Sequence, residues 1–278
     1  MISASKSNAL KQLFGTLNVA IGVVHLPALP GSPGFEGELE AVYKTAFTDA
    51  ERYAKGGIDG LIVENHGDIP FAKPADIGYE TVATMSVIAA QIQQVTKLPT
   101  GINVLANAAL PALAVAQASG SQFIRVNQWA NAYVANEGFI EGEAAKATRY
   151  RANLRATHLN VFADVHVKHG AHAIVSDRDV SELTRDVEFF DADVVIATGQ
   201  RTGDSAQLDE MRMIRQSTQL PLVVGSGATV DNISDILSVA DGVIVASSLK
   251  EESVWWTPVS EAKVRTFMDE VARIRRCS

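Results

Sequence analysis

The sequence predicts an α/β fold, a (β/α)8 TIM barrel forming a single domain over residues 1–278. Short β-branched runs alternate with segments of helical period about eight times, which is the arithmetic of such a barrel. The runs are apolar throughout rather than alternating, as parallel strands are when helices cover their outer face. No linker or low-complexity tract divides the chain.

The elements follow in order. Leu10, Leu13, Phe14 and Leu17 have helical spacing ahead of the first strand, so segment 1–18 is expected to plug the barrel floor, although the same stripe suits a docking partner. Val19 to Leu26 is the first candidate strand. Leu39, Val42, Ala46, Ala50 and Tyr53 then share one helical face, which Gly56 and Gly57 end. Ile58 to Glu64 precedes a stripe of Val82, Ile88, Ile92 and Val95. The middle strands are Gly101 to Leu105, Phe123 to Asn127, Val161 to His166 and Val194 to Thr198. A stripe of Leu208, Met211 and Ile214 leads to Leu222 to Ser226, where Thr229 is the expected cap of the next helix. Gly242 to Ala246 is the last strand, and Thr257 with Pro258 is expected to open the final helix. Two long loops, Pro27 to Gly37 and Gln128 to Gly142 with Trp129, Tyr133 and Phe139, read as lids over the mouth.

Lysine and arginine number 24 against 32 acidic residues, and a net charge of −8 argues against nucleic acid as a partner. The single cysteine, Cys277, can form no intramolecular disulfide. Apolar runs of membrane-spanning length, about 18 residues, do not occur, so no membrane insertion is expected and the expected location is cytoplasmic.

Barrel chemistry sits at the C-terminal ends of strands and in the loops that follow. Those positions hold Glu64, Asn65, His66 and Asp68 after the second strand, Asn103 on the third, and Arg125 and Asn127 on the fourth. On the fifth, period-2 alternation puts Asp164, His166 and Lys168 on one face. Arg125 inside a barrel requires a carboxylate, Glu64 or Asp164, and the three could form a purely structural ion network. His166 and Lys168 go beyond such a network, because they add proton-transfer groups. Lys168, His166, Asp164 and Glu64 are therefore the candidate catalytic residues, with Asn65, Asp68, Asn103, Arg125, Asn127 and Thr198 as candidate substrate contacts.

Asp164 and His166, with Glu64, are also ligand types for a divalent metal. No His-x-His, HExxH or repeated Cys-x-x-Cys accompanies them and Lys168 would repel a cation, so no metal or other cofactor is assigned. His25 ends the first strand near the site, while His158 and His172 are expected on surface segments without a role. Gly225-Ser226-Gly227 and Ala246-Ser247, with Gly199 and the Thr202-Gly203 pair nearby, form the candidate phosphate site: glycines let backbone N–H groups approach an anion, and a following helix N-terminus adds favourable charge. Trp255 and Trp256 suit either stacking on a substrate or a subunit interface.

Gly22-Val23-Val24-His25-Leu26-Pro27-Ala28-Leu29-Pro30-Gly31, Glu64-Asn65-His66-Gly67-Asp68-Ile69-Pro70-Phe71, Gly101-Ile102-Asn103-Val104-Leu105, Phe123-Ile124-Arg125-Val126-Asn127, Asp164-Val165-His166-Val167-Lys168-His169 and Gly225-Ser226-Gly227 together resemble the BtpA family, from about Ile21 to Val271. The resemblance implies a phosphate-binding TIM barrel, in a family with one member required for photosystem I accumulation and others encoded near sugar-uptake genes. Some positions depart from that pattern. Asn107-Ala108 stands for the usual Asn-Asp, Ala135-Asn136-Glu137-Gly138 for Thr-Asp-Gln-Gly, and Ala246-Ser247-Ser248-Leu249-Lys250 for Gly-Thr-Ser-Leu-Lys, while a following Asp-Gly is replaced near Glu251-Glu252. The expectation is an enzyme acting on a small phosphorylated metabolite, a sugar phosphate or nucleotide-like compound, by acid/base chemistry at the C-terminal face. The alternative implied by the family is a noncatalytic assembly or stability factor. A homo-oligomer is also expected, because barrels of this family often associate and the tryptophans offer surface to bury.

Overall fold

A computed structural model describes residues 6–167, 170–199 and 208–277. The strands are β1 (Val19–His25), β2 (Gly60–Glu64), β3 (Thr100–Asn103), β4 (Phe123–Val126), β5 (Ala132–Ala135), β6 (Gly138–Glu141), β7 (Asn160–Asp164), β8 (Val194–Ala197), β9 (Leu222–Val224) and β10 (Gly242–Val245). The helices are α1 (Ala9–Phe14), α2 (Leu39–Gly56), α3 (Tyr79–Thr96), α4 (Ala109–Ser119), α5 (Ala144–Asn153), α6 (Val180–Phe189), α7 (Leu208–Ser217), α8 (Ile233–Leu237) and α9 (Glu261–Cys277). Eight parallel strands close a barrel in the order β1-β10-β9-β8-β7-β4-β3-β2, and β5 with β6 forms a separate antiparallel hairpin after β4. This is the TIM barrel. No helix among the described residues is long and apolar enough to cross a membrane.

Except in β2, which ends at Glu64 as expected, pairing ends one or two residues before the predicted runs do. Leu26, Leu105, Asn127, His166, Thr198, Ser226 and Ala246 all lie past the last paired residue. Burial outlasts the ladder because the loops also pack, as Leu26 does at 1% exposure and Thr198 at 4%. Several helix readings need correction: Leu17 lies past the end of α1 and is 43% exposed, and Leu208 is 36% exposed. Val95 is 57% exposed, and α3 turns Thr81, Thr84, Met85, Ile88, Ala89 and Ile92 inward instead. The final helix starts at Glu261, after Thr257 and Pro258.

Strand alternation sorts the interior into two cores. Outward residues such as Ala20, Val24, Leu61, Val63 and Ile102 meet the helices in one large cluster. Inward residues Val19, Ile21, Val23, Ile62, Phe123, Phe162, Val194, Ile196, Val223 and Ile244 fill the lumen together with Ala9 and Leu10 of α1. Phe123 stacks on Phe162 at 4.4 Å between centroids, and Phe14 meets Phe123 edge-on at 6.0 Å. Asn8 caps α1 by accepting from the Lys11 N–H, and Gly15 ends it at φ 71°. Leu10 is fully buried, so Leu10→Ala should leave a cavity at the base of the lumen. The expected loss is about 2–4 kcal/mol in urea unfolding, whereas a loss under about 0.5 kcal/mol would mean that the lumen closes without the helix.

Candidate functional site

Above that apolar layer the same alternation brings His25, Glu64, Asn103, Arg125 and Asp164 to the C-terminal ends of their strands. Register aligns them: His25 pairs with Glu64, and Glu64 with Asn103. All five are buried.

Glu64 is the hub of one half. Its Oε1 accepts from His66 Nδ1 at 2.9 Å, and its Oε2 accepts from Asn103 Nδ2 at 2.6 Å. Burial opposes its charge most strongly, but the His66 hydrogen bond and favourable interactions with His66, His25 and Arg125 outweigh it, holding the carboxyl well below the usual range. His25 stacks on His66 at 4.6 Å, and its Nδ1 donates to the Trp255 carbonyl at 3.2 Å. Burial, opposed by the Glu64 charge, pushes the His25 ring down to about 3, so it is neutral. Trp255 lies edge-on to His66 at 4.5 Å, with Phe71 at 6.0 Å from the same ring.

Arg125 and Asp164 form the other half and close on each other. Arg125 Nε reaches Asp164 Oδ1 at 3.1 Å and its Nη2 reaches Oδ2 at 3.0 Å, a bidentate pair buried on both sides. Burial works against the guanidinium charge, but Asp164 and then Glu64 hold it above its ordinary value. Asn127 Nδ2 adds a 3.4 Å contact to Asp164 Oδ2. A Cβ on Gly225 would sit 2.7 Å from Ile196 Cγ2, 3.1 Å from Thr198 Cγ2 and 3.2 Å from Arg125 Nη2, so this glycine leaves room first for Ile196 and then for its two neighbours.

Several sequence expectations change here. His166 does not join Asp164: β7 ends at Asp164, and the His166 ring sits 4.1 Å from His172 and 3.6 Å from Glu210 Oε1. His172, expected on the surface, is half-buried, stacks on Tyr133 at 5.4 Å and bonds the Val167 carbonyl through Nε2. Asn65 and Asp68 fasten loops: Asn65 accepts from Leu105 N, and Asp68 accepts from Leu29 N and Asn65 Nδ2. That anchor buries Leu29 fully, so the Pro27 to Gly37 loop is tied down and does not border the cavity. Thr198 donates its hydroxyl to the His166 carbonyl at 2.8 Å. Lys168, His169 and Thr202-Gly203 lie outside the described residues.

A cavity of about 660 Å³ joins the Glu64 centre to the loops after β9 and β10. His25, Glu64, His66, Asn103, Arg125 and Asn127 line one part, and Gly225–Thr229 with Ala246–Ser248 another. The β5–β6 hairpin contributes Tyr133 and Ala135, and Asn136 and Glu137 at its turn complete that wall. The two loops are tied by Ser248 Oγ donating to Ala228 O at 2.7 Å. Asn232 braces the first of them, its Nδ2 donating to Gly227 O and its Oδ1 accepting from Thr229 N. Gly227 sits at φ 73°. Among the described residues, the N–H groups of Gly227, Ala228, Ser247 and Ser248 have no acceptor. The expected helix contribution is absent, because α8 starts only at Ile233, after Asn232 rather than Thr229, and the donors are loop amides.

His66 was not among the sequence-derived site residues although its motif was on view. Its signal was local: it stands two residues past a strand-end carboxylate. Gly199 is buried next to undescribed residues.

The pattern of the BtpA family matches residues 16–273. The chain is 38% identical over 264 residues to the photosystem I biogenesis protein BtpA of Synechocystis, covering 95% of this chain and 91% of that protein. It is 35% identical over 271 residues to an uncharacterized mitochondrial protein of Caenorhabditis elegans, covering 96% and 97%. Among solved structures, the thiamine phosphate pyrophosphorylase of Pyrococcus furiosus superposes with a TM-score of 0.56 at 15% identity, covering 93% of this chain and 96% of that one, a likeness of fold alone.

Proposed function

The chain belongs to the BtpA family, and from that premise we propose that it is an enzyme acting on a small phosphorylated metabolite by acid/base chemistry at Glu64 and His66. One observation carries the reading: a preorganised carboxylate–imidazole pair and two loops whose backbone donors have no acceptor among the described residues border one cavity. Glu64 accepts the His66 Nδ1 proton, which leaves His66 Nε2 as the proton acceptor, and Asn103 holds the second carboxylate oxygen. Asp164 and Arg125 supply the charge balance beneath the substrate, and the loops at Gly225–Thr229 and Ala246–Ser248 take the phosphate. The role expected of His166 passes to this pair, since the His166 ring is engaged with His172 and Glu210, while Lys168 lies outside the described residues and keeps its place as a proton-transfer candidate.

Incubating purified protein with pools of phosphorylated metabolites and following them by mass spectrometry tests this reading. Consumption of one compound class is the expected result, and no turnover of any phosphorylated compound overturns it. The competing reading is a noncatalytic assembly role, in keeping with the name of the Synechocystis relative and with Trp256 at 68% exposure. It predicts a partner lost in Trp256→Ala and retained in Glu64→Gln.

Phosphate binding has its own test. Gly227→Val puts a β-branched side chain at φ 73°, which costs about 1–2 kcal/mol locally and reshapes the loop amides. Calorimetric titration with phosphate should show affinity about 10-fold or more weaker than wild type, the loss of roughly one charge-assisted hydrogen bond. Equal affinity in the two proteins would place the anion elsewhere.

A further inference from the structure

The hydrogen bonds around His25 fix its tautomer. A carbonyl can only accept, so the Nδ1 facing Trp255 O carries the proton. The neutral ring then has a lone pair on Nε2, and that atom faces Glu64 Oε1 at 3.6 Å, too far for a hydrogen bond. Two electron-rich atoms are held near each other in a buried site with no hydrogen between them. An imidazole locked by a backbone carbonyl on one nitrogen, with the other nitrogen beside a carboxylate, is the usual setting of a metal-ligating histidine. His66 completes the set. One ligand atom each from His25, Glu64 and His66 lie within 4.8 Å of one another.

The geometry points to a binding site for one divalent transition-metal ion, zinc by ligand chemistry, held by His25 Nε2, Glu64 Oε1 and His66 Nδ1. Two imidazoles and one carboxylate are the ligands of open zinc sites, with a fourth place left for water or substrate. Metal–ligand distances of about 2.0–2.2 Å put tetrahedral ligand atoms roughly 3.3–3.6 Å apart. The separations on Glu64 Oε1 are 3.6 Å from His25 and 2.9 Å from His66, so side-chain adjustments of under about 1 Å there admit the ion. The hydrogen on His66 Nδ1 moves to Nε2, with no net proton released. Asn103 supplies a second pointer. It lines the same cavity, and its Oδ1 is buried without a donor among the described residues. A water on the ion is such a donor. Arg125 does not repel the ion decisively, because Asp164 neutralises it, which leaves the Glu64 charge to the metal.

This inference rests on the proposed function for the use of the site and revises its proton carrier: an ion held by Glu64 and His66 would put the His66 hydrogen on Nε2 and would supply an activated water as the proton acceptor in place of that nitrogen. Metal binding itself needs no substrate, so the two are tested apart. The full chain, stripped with a chelator and dialysed, is titrated with Zn²⁺ against a chromophoric competitor and, separately, with Co²⁺ by visible absorption. One equivalent bound with the intense Co²⁺ bands of four-coordination is the expected result. His25→Ala and Glu64→Gln should each weaken binding about 100-fold or more, and the paired change of His166 and His172 to alanine should leave it unchanged. Zinc-soaked crystals of the unaltered chain provide the check that needs no variant, with anomalous density between the three residues. No equivalent bound, or binding lost with His166 and His172 instead, overturns the inference. Turnover by metal-stripped protein that binds no Zn²⁺ overturns it too while leaving the proposed function intact; binding without turnover leaves the site standing and counts against the enzyme reading.

Discussion

Arg125→Leu should destabilise the protein by about 3–5 kcal/mol, because it leaves the Asp164 carboxyl buried without its bidentate partner. Asp164→Leu should cost a similar amount by stranding the guanidinium, which burial already opposes. The pair lies above the apolar lumen layer, with the Arg125 side chain 5% exposed and that of Asp164 fully buried. Combining the two changes should recover much of the loss, since a well-packed apolar pair avoids both desolvation costs. Urea unfolding of the four proteins reads out the coupling directly. Additive losses would mean that the two charges do not depend on each other.

Glu64→Gln is the change with the largest expected effect on turnover, a fall of about 10²–10⁴-fold in kcat. The amide is nearly isosteric, so the fold should hold. Its chemistry is wrong at both ends, however, because Glu64 accepts from His66 on one oxygen and from Asn103 on the other. A glutamine offers one acceptor and turns an NH₂ toward one of those donors. His66→Ala should cost about as much, and the double variant little more, because groups acting as a unit are not additive. Phosphate affinity should change little in Glu64→Gln, which separates loss of chemistry from loss of the anion loops. His166→Ala should keep turnover within a few-fold of wild type, since that ring packs on His172 and Glu210 rather than facing the cavity. Steady-state kinetics on a compound found by the metabolite screen decides both. Retained turnover in Glu64→Gln with loss in His166→Ala would return the chemistry to the loop after β7.

The resemblance to the family and the barrel were both legible because they rest on local features. Apolar runs separated by helical stripes need no knowledge of which strand meets which. Alternation along Val19 to His25, or Phe123 and Arg125 on one strand, already says which side chains face the lumen. The demand of Arg125 for a carboxylate was equally readable, since desolvation makes an unpaired guanidinium untenable. Alternation failed at His166 because it was carried past Asp164, the last paired residue, into a bend where the two-residue period no longer holds.

The glycines show a similar division. Gly225 and Gly227 read alike in the sequence, yet the first is needed for the space taken by Ile196, with Thr198 and Arg125 beside it, and the second for its positive φ. Asn65, Asp68 and Thr198 carry polar groups at strand ends, as site residues do, but their hydrogen bonds fasten neighbouring loops. By itself the sequence determined the barrel, the family and the row of polar residues at the C-terminal face, since periodicity and residue chemistry travel with the chain. Only the tertiary structure decided that Glu64 belongs to His66, His25 and Asn103 while Asp164 belongs to Arg125. Such pairing depends on inter-strand register and on where each loop turns, and both are set by packing between segments far apart in the chain.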